Sequence, residues 1–316
     1  MSFAQEVKKE IANLKVEEQF LKAELYGFIK LKSEIVIRNK KIVCELKTNL
    51  LPIVRKITSA IKHLYKVNVE VLEKERKNLD KKNIYVITID DKCKEILKDL
   101  QIIDDDYNYI EEINEEYDVE SVLRGFFLAK GSINDPQNAR YHFEIACNTI
   151  YEGTYIVKHF NEFDIYSKLS QRRGSYIVYI KKAEQIGDAL KVVGSTNCMF
   201  EFENERIKRD LNNVVNRIIN CDMANSDKTQ KAALRQLEQI EYLEKHIGFE
   251  GLPIRLMEAV TLRTKYPDAT LQELSDASEE CIGRSISKSG LTHCFKDLEL
   301  KYLTVQAQNE KKETSE

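Results

Sequence analysis

The stretch Leu25-Tyr-Gly-Phe-Ile-Lys-Leu-Lys-Ser33 has an echo in Leu123-Arg-Gly-Phe-Phe-Leu-Ala-Lys-Gly131, and this repeat constrains the fold more than any other feature. Leu25 matches Leu123, Gly27 matches Gly125, Phe28 matches Phe126, Lys32 matches Lys130 and Ile35 matches Ile133, all at one constant separation. A tandem duplication followed by an unrelated segment explains that spacing. Both stretches are apolar almost all the way round, the pattern of a helix buried on every side. A glycine inside a helix costs ~1 kcal/mol against alanine and is kept where another backbone must come close. The two helices are therefore expected to pack on each other through Gly27 and Gly125, about a pseudo-twofold axis.

The remaining length supports further structure. The chain has 316 residues, room for two or three domains, and 42% are hydrophobic, enough for packed cores. A net charge of −3 argues against a protein that is basic throughout. It leaves room for a locally positive face. Seven cysteines lie scattered without a Cys-x-x-Cys pair, as expected of reduced thiols in a cytosolic protein. His63, His142, His159, His246 and His293 have no ligand spacing, so neither a metal nor another cofactor is expected. No apolar run approaches the ~20 residues of a membrane span, and Met1 to Lys9 is not a signal peptide. A soluble, cytoplasmic protein is expected.

In chain order, Ser2 to Leu14 reads as a short amphipathic helix, followed by the buried helix Val16 to Lys32. Strands are expected at Ile35–Arg38 and Lys41–Thr48, turning at Asn39-Lys40, then a helix from Leu50 to Tyr65. Strands at Val67–Leu72 and Ile84–Ile89 and a helix from Lys92 to Leu100 close the first half, residues 1–105. Asp104 to Glu120 carries nine acids and neither lysine nor arginine, and reads as a solvated linker. A sharper reading makes it a phosphate mimic that masks a basic groove. The second half, residues 106–203, repeats the plan. It has a helix at Val119–Lys130, a turn at Asn134-Asp135-Pro136 and a strand at Tyr141–Cys147. A helix at Ile150–Phe163, strands at Ile165–Leu169 and Ser175–Lys181 around the turn Gln171-Arg-Arg-Gly174, and a helix at Ile186–Val193 follow.

Residues 204–250 read as a helical connector, with helices at Asn204–Val215 and Thr229–His246 and an interruption at Asn220-Cys221-Asp222-Met223-Ala224-Asn225. Residues 251–305 read as three helices. Leu252–Tyr266 places Leu256, Ala259, Val260 and Arg263 toward one core, and Thr270-Leu-Gln-Glu273 is a capping box for the short helix Leu271–Ala277. The loop Ser278–Arg284 then leads into a helix from Ser287 to Leu300. That order is a helix-turn-helix. A polar tail, residues 306–316, is expected to fray.

The last helix holds the clearest candidate site. Arg284 to Lys296 contains three basic side chains, one histidine and no acid. Lys288 and Lys296 suit phosphates; Ser289, Thr292 and His293 suit base edges; Thr270, Arg284, Ser285 and Ser287 complete the set. The segment after Gly251 nevertheless carries more acids than bases, which implies modest affinity from this domain alone. The duplicated part offers Lys30, Lys32, Arg38, Lys40, Lys41 and Lys47, then Arg140, Lys158, Lys168, Arg172, Arg173, Lys181 and Lys182. Two such sheets side by side would form a basic saddle for a duplex, or lysine edges that merely block aggregation.

The paired Leu-x-Gly-Phe helices resemble the LAGLIDADG motif of homing endonucleases. In that family each central helix ends in an acid that binds a divalent metal. Aligned on the glycines, those positions are Lys32 and Lys130 here. Glu34 and Asp135 lie nearby but out of register. A protonated lysine offers no lone pair to magnesium, so the resemblance implies a nuclease-like scaffold that does not cut. A LAGLIDADG-like half followed by a helix-turn-helix resembles the WhiA family along essentially the whole chain. Arg124 to Pro136, Tyr141 to Ile145, Asn220 to Asn225, Tyr266 to Leu274 and Ser287 to Gly290 carry that likeness. Two departures fall on the DNA-reading element. The chain has Thr292-His293-Cys294 where the family usually has Asn-His-Arg, and Cys281-Ile-Gly-Arg284 where a proline-containing turn is common.

The resemblance implies an α+β fold, a degenerate tandem LAGLIDADG-like αββαββα domain followed by an all-α helix-turn-helix. It further implies a bacterial regulator that binds double-stranded DNA, linked to sporulation, cell division or chromosome segregation. Two alternatives remain at this stage. One is an interaction hub for division or segregation proteins with weak DNA contact; the other is an active endonuclease.

Overall fold

The structure is a computed structural model. It describes residues 2–38, 41–74, 83–138, 140–172 and 174–313. The turn expected at Asn39-Lys40 lies outside the described residues, as does Arg173.

The chain folds into two compact units, Met1–Asp210 and Leu211–Glu316. The first contains both halves of the duplication. Helix α1 (Phe3–Ala12) buries Phe3, Val7 and Ile11, the apolar side of its amphipathic pattern. Helix α2 (Glu18–Lys32) follows, then strands β1 (Ser33–Arg38) and β2 (Lys41–Thr48), helix α3 (Leu51–Tyr65), strands β3 (Glu70–Lys74) and β4 (Ile84–Ile89), and helix α4 (Cys93–Asp99). The second half runs α5 (Val119–Lys130), β5 (Gly131–Ile133), β6 (Phe143–Cys147), α6 (Ile150–Glu162), β7 (Lys168–Arg172), β8 (Ser175–Ile180) and α7 (Ala183–Val192). The sheets have matching orders, β1-β2-β4-β3 and β5-β6-β8-β7, and every pairing is antiparallel. The duplication seen in the sequence is thus a duplication of topology.

Several details differ from the sequence reading, among them strand β3, expected at Val67–Leu72 and found at Glu70–Lys74. Strand β5 was not expected; three residues directly after α5 are too few to show alternation. Strand β7 begins three residues later than the apolar run at Ile165, which is itself buried before the strand. Its hairpin turns at Gly174, with φ +82°. The segment Asp104–Glu120 is solvated as expected, with none of its residues buried, but it is tethered to the first unit at several points. The buried ammonium of Lys30 donates to the carbonyls of Ile110 and Glu112, the Tyr26 hydroxyl accepts from the Asn114 amide at 3.0 Å, and Lys158 holds Glu115 at 2.8 Å. Backbone polar groups at those points satisfy a charge that would otherwise be stranded in the core.

Helix α8 (Thr196–Ile247) is continuous for 52 residues, so the interruption expected at Asn220–Asn225 does not occur. The second unit then has α9 (Ile254–Lys265), α10 (Leu271–Asp276), α11 (Ser278–Ile282) and α12 (Lys288–Glu313). Two corrections apply here. The expected loop Ser278–Arg284 contains the short helix α11, ended by Gly283 at φ +76°. Residues 306–313 of the expected fraying tail instead continue α12, in which Val305 is buried and Asn309 reaches the Tyr242 hydroxyl at 3.3 Å. Leu243, Leu256, Ala259, Leu262, Leu274, Leu291 and Leu298 form this unit's core.

Candidate nucleic-acid interface

Helices α2 and α5 cross where neither could carry a larger residue. A Cβ on Gly27 would lie 2.5 Å from the Val122 carbonyl oxygen; one on Gly125 would lie 2.8 Å from the Phe28 amide nitrogen. Both obstacles are backbone, which cannot swing aside. Beside the crossing, the buried Glu24 carboxylate pairs with Lys56 at 2.8 Å and Arg124 at 3.6 Å. Lys56 also donates to the Ile11 carbonyl at 3.0 Å.

Lys32 and Lys130 close the two helices, where a cation meets the negative end of the helix dipole. Both are half-buried. The Lys130 ammonium bonds to the Asn148 side-chain oxygen, and the Asn148 amide donates to the Leu31 carbonyl at 3.3 Å. Burial first, then the Lys130 charge, pushes the Lys32 ammonium below its ordinary pKa. Lys8 of α1 lies beside them, its Nζ 5.9 Å from the Phe127 ring centre. Burial and then Lys32 lower its pKa to about 7. These ammonium groups are the wrong donors for a divalent metal. Among the described residues, no group of three or more His, Cys, Asp or Glu is placed to hold one.

The two sheets differ in charge. On the first, Arg38 pairs with Glu45 at 2.5 Å and Lys47 with Glu34, so the basic side chains are largely spent. On the second, Phe143, Ile145 and Cys147 face the core, while Glu144 lies on the other side with its neighbours Tyr179 and Lys168. Lys168, Arg172 and Lys181 share that outer face. The His142 ring stacks on Tyr179 at 5.8 Å and bonds to Glu144 at 2.9 Å; Lys181 lies 5.2 Å from the same tyrosine ring. A basic saddle made equally by both sheets is not what the structure shows. Lys30 is buried, and Lys158 is paired.

In the second unit, α12 buries Leu291, Cys294, Phe295 and Leu298. Helical spacing then puts Lys288, Ser289, Thr292, His293 and Lys296 on the opposite side. Lys288, Ser289, His293 and Lys296 are exposed, as are Ser285 and Ser287 before the helix. Among the described residues, no ion pair uses Lys288 or Lys296. Four of the candidates already have partners. The Thr270 hydroxyl caps α10 by accepting from the Glu273 amide at 3.1 Å. The Arg284 guanidinium forms a two-pronged ion pair with Glu258, its Nε at 2.8 Å. The half-buried Thr292 hydroxyl donates to the Lys288 carbonyl at 2.8 Å. Ser287 caps α12, accepting from the Gly290 amide at 3.2 Å.

Sequence reasoning missed what holds the turn. Ser275 donates to the Ile286 carbonyl at 2.6 Å, and the buried Ser278 hydroxyl accepts from the Ile286 amide at 2.9 Å. Arg263, expected only to face the core, anchors instead the loop between α9 and α10. At 2% exposure it donates to Gln236 at 3.0 Å and to the carbonyls of Tyr266, Pro267 and Ala269.

Three family models match the chain in succession: the WhiA N-terminal LAGLIDADG-like domain over residues 18–103, the WhiA LAGLIDADG-like domain over 119–212, and the WhiA C-terminal HTH domain over 215–301. The chain belongs to the WhiA family. It is 40% identical over 304 residues to a Bacillus cereus protein named probable cell division protein WhiA, covering 95% of each chain. A Bacillus anthracis protein of the same name is equally similar. The crystal structure of full-length DUF199/WhiA from Thermatoga maritima shares the fold, with a TM-score of 0.59 at 22% identity over 96% of this chain and 99% of that one. The WhiA architecture is α+β: two LAGLIDADG-like halves and then a helical helix-turn-helix region. Among the described residues, no helix is long and apolar enough to cross a membrane.

Proposed function

We propose that this WhiA chain is a double-stranded-DNA-binding regulator connected with cell division, and that it holds DNA without cutting it. The observation that carries the reading is the exposed side of the first part of α12, Lys288 to Lys296, which holds no acid. Lys288 and Lys296 contact phosphates, while Ser289 and His293 meet base edges in the major groove. Ser285, Ser287 and the first amides of α12 add phosphate contacts. Thr292 reaches a base edge while its hydroxyl stays bonded to the helix. Arg284 reaches a phosphate only by leaving Glu258. Thr270 contributes by fixing the start of α10.

The duplicated unit supplies further phosphate contacts from Lys168, Arg172 and Lys181. Its helix pair ends in Lys32 and Lys130 where a metal-dependent nuclease needs carboxylates, and this supports the absence of strand cleavage. The link to division rests on the names of the Bacillus relatives.

Genome-wide crosslinking of the protein to DNA, followed by salt titration of binding to a recovered fragment, tests the reading. Binding is expected to fall steeply with salt, and Lys288→Ala to reduce the slope of log affinity against log salt by about 1. Unchanged footprints for Lys288→Ala, Thr292→Ala and His293→Ala would remove α12 from the interface.

A further inference from the structure

Between Leu211 and Lys228 every residue of α8 is exposed. That stretch is a poor helix by itself. Its run Leu-Asn-Asn-Val-Val-Asn-Arg-Ile-Ile-Asn-Cys-Asp is dominated by asparagine and β-branched residues, which rank low in helix propensity. Even alanine-rich helices of about 12–15 residues are marginal alone in water. Leu211, Val214, Val215, Ile218, Ile219 and Met223 nevertheless stand in solvent, each between 48% and 62% exposed. A contiguous apolar surface of this kind marks an interaction site.

The spacing identifies the type of partner. Leu211, Val214, Ile218, Cys221 and Asn225 alternate steps of three and four residues. That is the a-d-a-d-a seam of a coiled coil, with Val215 flanking it. Ile219 and Met223 lie outside the seam. In this register Arg217 takes a g position and Asp222 the following e position. Parallel coiled coils bring g of one strand against e of the other, so Arg217 would meet Asp222 of the partner subunit, and the contact would occur twice by symmetry. The seam thus complements the charge of its own copy. Asn225 stands at an a position, where a polar residue selects register and strand number at some cost in stability.

We propose that this face of α8 pairs two copies of the chain as a short parallel coiled coil. The pairing covers the exposed apolar seam and sustains a helix that its own residues favour weakly. It also presents two copies of α12 from one end of the pair.

The test uses the full-length protein in sedimentation equilibrium under reducing conditions, with oxidative crosslinking in parallel. A concentration-dependent dimer is expected. Ile218→Asp, which would bury a carboxylate in the seam, is expected to weaken it about tenfold or more. Asn225→Ile is expected to tighten it, which keeps the test decisive if the aspartate variant folds poorly. Oxidation should join the two Cys221 thiols, which face each other only in the parallel register; Ile218→Asp should slow this bond and Cys221→Ser abolish it. A monomer at all concentrations overturns the proposal, as does a dimer indifferent to both seam substitutions. A dimer sensitive to Ile218→Asp but without the Cys221 crosslink overturns the parallel arrangement.

Discussion

Two of the places where basic side chains gather could hardly differ more in their surroundings. At the end of the α2–α5 pair, Lys8, Lys32 and Lys130 are half-buried, and Lys32 lies close enough to depress Lys8 while being depressed by Lys130. On α12, Lys288 and Lys296 project into solvent from a helix whose other side is core. The first group is fixed by packing, because its helices cross at Gly27 and Gly125 with no spare room. The second is fixed only by the direction of one helix. Rigid, desolvated charges suit a set position along a backbone, whereas exposed side chains on a helix can adjust to base edges.

The comparison breaks most visibly at the crossing. Gly125→Ala puts a Cβ against the backbone of Glu24 and Phe28. It is expected to cost about 3 kcal/mol or more, read as a large drop in the melting temperature of the first unit. Arg263→Met strands three carbonyls in the second unit and is expected to cost about 3 kcal/mol. Calorimetry that resolves the two units should show only the helix-turn-helix transition move.

His293→Ala tests the exposed side of α12. It is expected to relax preference at one base pair by ~1–3 kcal/mol, leaving overall salt dependence nearly unchanged. A uniform loss across sequences would place His293 on a phosphate instead.

A pH dependence is expected at Lys8. Its folded pKa is about 7 against an ordinary 10.5. Between those values the unfolded chain holds a proton that the folded chain lacks, so this group's contribution to stability rises with pH. Its cost is fully present below pH 7 and is relieved toward pH 10.5. Melting temperatures of wild type and Lys8→Met should therefore converge as pH rises from 7 to 10. A constant gap would mean that Lys8 is not desolvated.

Regular elements with strong periodicity were legible in the sequence. Helix α5 and strand β4 begin and end where the pattern places them. The capping box at Thr270 and Glu273 forms as spaced. What was not legible depended on distant partners. Arg284 finds Glu258 26 residues away, and Lys30 finds carbonyls 80 and 82 residues away. Ser275 and Ser278 look like ordinary turn residues until Ile286 is placed against them. The interruption expected in α8 reflected true local weakness at Asn220–Asn225, which continuity of the helix overrides. The polar composition after Gln306 concealed the continuation of α12 to Glu313, whose Asn309 reaches Tyr242.

The most direct test of the central claim is to incubate the protein with an end-labelled duplex recovered by crosslinking, in manganese, and run the bound DNA on a denaturing gel. The account predicts a shifted complex whose strands remain full length. Metal-dependent shortening of either strand would contradict it, because ammonium groups at Lys32 and Lys130 leave no carboxylate pair to bind the ion.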